Sequence, residues 1–126
     1  MNAIMSIMGV SLDNPIDFGA IGARGTYSHG LRLVSIDLSL LEGNQMAQAF
    51  RTLRHEVRHA YQYYAVENPG NFTVSGATSE AWQANLPPRG RYRRMSDGYT
   101  WEEYNVQPIE LDAFSFASFR EWSPGE

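Results

Sequence analysis

His55-Glu56-Val57-Arg58-His59 is an HExxH pentapeptide. Four residues of α-helix turn through roughly 400°, so two imidazoles at this spacing point the same way, one turn apart. Both can reach one tetrahedral metal ion at about 2.0–2.1 Å. Glu56 sits about 100° round the helix, placed to take a proton from a metal-activated water rather than to ligate the metal. The chemistry implied is metal-assisted hydrolysis. The chain has no cysteine, so thiolate ligands and disulfides are excluded. Zinc, the ion expected here, must be held by histidine and carboxylate.

Two histidines leave a third protein position to fill, with the fourth kept for water. The one remaining histidine is His29, in a Gly-flanked turn. Glu110 and Asp112 follow Pro108, a residue suited to the first position of a helix. Glu110 is the leading candidate. It shares a helical face with Ala113 and Ala117, small enough to let that helix approach the histidine helix closely. Asp112 and His29 are the alternatives. A carboxylate at this place would also be favoured by the helix dipole alone, worth ~0.3–1 kcal/mol.

The elements that position these residues are readable from periodicity. Between Gln45 and Val66 the apolar positions Met46, Phe50, Leu53, Val57, Ala60, Tyr61 and Tyr64 recur at helical spacing. They form one stripe, and His55 and His59 lie nearly opposite, beside Thr52, Gln62 and Val66. The pair therefore faces either open surface or another part of the chain. Asn44 is a plausible cap for this helix. Asn68-Pro69-Gly70 ends it. Upstream, 25–38 reads as a β-hairpin turning at Gly30, and 1–12 as a first strand or packed segment. Downstream, 72–76 reads as extended and 78–86 as a short helix stopped by Pro87-Pro88. A loop from Pro87 to Gly98 holds four arginines: Arg89, Arg91, Arg93 and Arg94. It reads as a solvated loop balancing nearby acids, or as a docking patch for an acidic partner. Thr100-Trp101-Glu102-Glu103 has the form of a capped helix start. A break is expected at Gln107, with a fresh helix from Pro108.

At 126 residues the chain reads as one domain, 1–126, of α+β class. Its 43% hydrophobic content is that of a folded protein. A net charge of −4 gives no general attraction to nucleic acid or anionic membranes, so neither is an expected partner. All ten basic residues are arginine, for which a GC-rich genome is a sufficient cause. No run is long and apolar enough to span a bilayer, and the opening segment makes a poor signal peptide. A cytoplasmic location is the expectation, with export as part of an effector left open.

The string HEVRHAYQYY, with Glu110-Leu111-Asp112-Ala113-Phe114-Ser115-Phe116-Ala117 downstream, resembles the minimal glutamate-zincin metallopeptidases. Within them it is similar to the ImmA/IrrE-like group and to small HExxH domains attached to phage and toxin-like proteins. The hairpin YSHGLRLVSIDLSLLE is the third part of the pattern, which spans roughly 25–119. The resemblance implies a zincin-like fold, with a small sheet packed on the HExxH helix and a C-terminal helix carrying the third ligand. It further implies zinc held by His55, His59 and Glu110, with Glu56 as general base. The strand before the HExxH helix would border the cleft, so a protein or peptide substrate could add along 31–37. A tetrahedral intermediate needs a hydrogen-bond donor besides zinc, for which Tyr104 and His29 are candidates and Tyr99 a weaker one. The expected activity is hydrolysis of peptide bonds. The alternatives are a non-catalytic domain stabilised by zinc, or an effector module acting on one specific protein.

Overall fold

The computed structural model describes residues 17–19, 24–41 and 45–121. The expected first segment at 1–12 and the Asn44 cap lie outside them. The fold is α+β. Strands β1 (Asp17–Gly19), β2 (Gly25–Ser28) and β3 (Leu33–Asp37) form a sheet in the order β1-β3-β2. The expected hairpin is β2–β3, antiparallel, with Tyr27 opposite Val34. Its turn closes through Arg32 N–H to the His29 carbonyl at 3.2 Å.

β1 pairs in parallel with the other side of β3. This narrows the expectation that a peptide could add along 31–37, because one side of β3 is taken by β2 and the other by β1 from Ser35 to Asp37. β3 is the central strand, paired with β2 along Leu33–Ile36 and with β1 along Ser35–Asp37. β1 and β2 are the edge strands, and among the described residues nothing pairs with the outer side of β2.

Val34 and Ile36 are buried while Leu33, Ser35 and Asp37 are only partly so. This period of two turns one face of β3 onto helix α1 (Met46–Glu67). Val34, Ile36 and Leu40 pack there with Ala49, Leu53, Val57 and Ala60. Met46 and Phe50, expected in the buried stripe, stay exposed because Ala49 takes the core position at that turn. Helix α2 (Gly76–Asn85) starts two residues before the expected point, since Ser75 caps it by accepting from Thr78 N–H. The expected extended piece at 72–76 does not join the sheet. Its Phe72 and Val74 instead flank a second core of Ala65, Trp82, Leu86 and Ile109.

Helix α3 (Trp101–Asn105) opens with the expected capping box between Thr100 and Glu103. The chain breaks at Gln107, and helix α4 (Pro108–Glu121) begins at the proline. Ala113 and Ala117 are fully buried, so α4 lies closely against α1 on the face opposite the sheet. The long helix is thus covered on both sides. Among the described residues, no helix is long and apolar enough to cross a membrane.

What aims the start of α4 is a polar knot that local sequence does not announce. Gln107 is completely buried. Its Oε1 accepts from Asn85 Nδ2 at 2.9 Å and from Arg93 N–H at 2.8 Å, and its Nε2 donates to the Arg93 carbonyl at 2.8 Å. Asn85 Oδ1 in turn accepts the Ile109 N–H at 3.0 Å. That amide is one of the unpaired donors of the first turn, so α4 is capped by a residue from another helix. Glu110 follows directly. We expect Gln107→Leu to strand several buried donors and acceptors and to lower unfolding free energy by ~2–5 kcal/mol, measured by urea denaturation.

Candidate metal centre

α1 and α4 bring three of the expected residues together. His55, His59 and Glu110 are all buried, and one ligand atom from each lies within 4.8 Å of the others. His55 Nε2 is 3.0 Å from Glu110 Oε1, and His59 Nε2 is 3.2 Å from Glu110 Oε2. The two Nε2 atoms are 3.1 Å apart. A tetrahedral ion with ligands at 2.0–2.1 Å sets neighbouring ligand atoms about 3.3 Å apart, so these separations fit a shared ion with small adjustment.

The orientation of His59 is set by Gln62, one turn on. Gln62 Nε2 donates to the Ile109 carbonyl and to Asp112 Oδ2, both at 2.9 Å, which leaves its Oε1 facing His59 Nδ1 at 2.9 Å. An oxygen there requires the proton on Nδ1 and so turns the Nε2 lone pair of neutral His59 to the centre. His55 has no such partner. Its Nδ1 is buried and unpaired, and its ring is steered by Phe114, 4.2 Å away between centroids. Tyr92 Oη donates to Glu110 Oε2 at 2.6 Å. This holds one carboxylate oxygen and leaves Oε1 as the better ligand.

Electrostatics point the same way. Burial works against charge on His59, yet the hydrogen bond and negative charge of Glu110 outweigh it and raise the pKa to about 9. Burial also works against charge on Glu110, but the hydrogen bonds to His55 and His59 hold its carboxyl below the usual range. Glu56 is pushed up, chiefly by burial and further by Glu110, against the pull of the two histidines. Two acidic side chains and two imidazoles therefore face one centre. A divalent cation fits that set.

The other candidates fall elsewhere. Asp112 is bound to Arg58, at 2.8 and 3.2 Å, and to Gln62; it holds the ligand's support rather than the centre. His29 is withdrawn from both ligation and the donor role. Its Nδ1 meets Tyr27 Oη at 2.8 Å, its Nε2 meets Glu67 at 2.8 Å, and its ring stacks on Tyr63 at 4.1 Å. Tyr99 lies in an exposed loop and lines neither cavity at the centre. Tyr104 lines both. Burial, then Glu110, pushes its hydroxyl up to about 12, so it keeps its proton.

Two cavities open on the centre, of about 330 and 600 Å3, and they share Gly25, Glu56 and Tyr104. Gly25 is needed there. A Cβ on it would stand 2.5 Å from Thr52 Cγ2 and 3.1 Å from Glu56 Cγ, so only glycine lets β2 pass this close to Glu56. Gln62, Tyr92 and Gly25 carried no role in the sequence reading. Gln62 alone had a signal, a polar residue on the histidine face one turn after His59.

No family model matches the chain, and no curated protein or solved structure matches it.

Two expectations follow from the geometry. Wild-type protein purified without chelators should carry close to one zinc per chain by mass spectrometry, and both His59→Ala and Glu110→Ala should lose it. Zinc retained by Glu110→Ala would remove that residue from the ligand set. Gln62→Ala and Tyr92→Phe should keep the site but weaken zinc affinity by ~10–100-fold in competition with a chromogenic chelator.

Proposed function

We propose that the chain is a zinc-dependent peptidase of the HExxH glutamate-zincin type, hydrolysing peptide bonds with Glu56 as general base. One observation carries this reading. Glu56 is buried beside the three ligand residues, its carboxyl makes no hydrogen bond with any described residue, and it borders both cavities. A centre serving stability alone has no use for such a group. Sheet, HExxH helix and ligand-bearing helix in this order also fit a zincin-like arrangement.

Zinc held by His55, His59 and Glu110 would supply Lewis acidity, lowering the pKa of a water and polarising the substrate carbonyl. The chain's own residues do the rest. Glu56, with its proton affinity raised by burial, takes a proton at its carboxylate and later passes it to the leaving amine. Tyr104 keeps its hydroxyl proton and can donate to the oxyanion as it develops. Tyr92 and Gln62 hold Glu110 and His59 in place. An extended substrate would pair with the outer edge of β2, where Gly25, Thr26 and Tyr27 line the smaller cavity.

The test is turnover by zinc-loaded protein on a mixed peptide library read by mass spectrometry. Glu56→Gln should retain its zinc yet cut on the order of 10²–10⁴-fold more slowly. Cleavage that survives this change would overturn the mechanism. Tyr104→Phe should lower kcat by ~10²-fold with little change in KM.

A further inference from the structure

The arginine-rich loop ahead of α3 has no part in the chemistry above. It places four of the chain's ten basic residues within six positions, leaving six others against fourteen acidic ones. If these arginines merely balanced local acids, they would be paired. None of the four guanidinium groups lies within ion-pair distance of a carboxylate among the described residues. Glu103 feels the charge of Arg93, but its carboxylate is held by the Thr100 N–H in the α3 cap.

The loop backbone, in contrast, is tied down. Gly90 N–H and Arg91 N–H donate to the Leu86 and Ala84 carbonyls, at 2.6 and 2.7 Å. The Arg91 carbonyl accepts from Asn85, and both backbone groups of Arg93 are held by Gln107. A Cβ on Gly90 would stand 2.6 Å from the backbone of Asn85 and Leu86, so the loop is packed hard against the end of α2. The strip is therefore rigid in its main chain, with Arg89, Arg91 and Arg94 exposed. It also leads into the cleft. Arg94 lies over the ring of Tyr92 at 5.1 Å and lines the smaller cavity with Glu56 and Glu110.

We propose that loop 89–94 is a docking rail for an acidic stretch of polypeptide, whose neighbouring residues then enter the cleft at Glu56. Guanidinium forks presented on a fixed backbone suit carboxylates in bidentate pairs and lose little freedom on binding. The acidic remainder of the chain disfavours the long, uniform charge of nucleic acid. What becomes of the docked chain rests on the peptidase reading; the docking itself does not.

The experiment is fluorescence anisotropy with the zinc-loaded Glu56→Gln variant, which keeps the site but suppresses turnover. The probes are a labelled glutamate-rich peptide, the same peptide with glutamine for every glutamate, and a single-stranded oligonucleotide of matched charge. The acidic peptide should bind about tenfold or more tighter than its neutral counterpart, the sum of several exposed ion pairs, and should weaken with added salt. Arg91→Gln with Arg94→Gln should abolish that difference without lowering the melting temperature, and lysine at both positions should restore part of it. Equal affinity for acidic and neutral peptides would overturn the proposal. So would tighter binding of the oligonucleotide, or no effect of neutralising the two arginines. Failure of the wild type to cut the peptide it binds would count against the peptidase reading alone.

Discussion

The Glu110 carboxylate, closed between two imidazoles across the α1–α4 interface, is the contact on which the rest of the site depends. A buried carboxylate costs several kcal/mol unless its charge is met, so the helices must supply partners at hydrogen-bond distance. His55, His59 and Tyr92 are those partners. The two histidines can reach it because Ala113 and Ala117 let α4 lie close along α1, while Tyr92 comes from the loop before α3. The same requirement explains the knot at Gln107 and Asn85. A proline start leaves α4 needing an external cap, and that cap sets where Glu110 points.

Fold and site share parts. Gln62 is one side chain with three partners: it orients His59, ties down α4 by donating to the Ile109 carbonyl, and donates to Asp112. Asp112 in turn is held by Arg58, whose guanidinium lies over Tyr61 at 4.4 Å and Phe116 at 4.8 Å. The residue that precedes the second histidine of the motif thus serves packing and charge balance together. Gly25 shows the same economy on the opposite side, where β2 and Glu56 approach one another through a missing side chain. Such a site is rigid because its supports are also the core.

Much of this is legible in the sequence. The histidine helix, its end near Asn68, the hairpin, the capping box at Thr100 and the restart at Pro108 all rest on interactions within a few residues, which local pattern records. Glu110 was legible for a related reason. Its neighbours Ala113 and Ala117 mark a close-packed helical face, and a carboxylate there has few purposes.

Tertiary structure alone decided the remainder. Whether His59 is aimed by a neighbour, which oxygen of Glu110 is left for a metal, and which strand keeps a free edge depend on residues far apart in the chain. Tyr92 meets Glu110 from a loop that reads as solvated arginine, and Gln107 looks like a linker residue until Asn85 and Arg93 close on it. β3 became central only when β1 paired from the other side. The sequence by itself determined the elements and the chemical types facing one centre, because helical and strand periods are written residue by residue. Their mutual aim came from long-range hydrogen bonds and close packing, which leave no periodic trace.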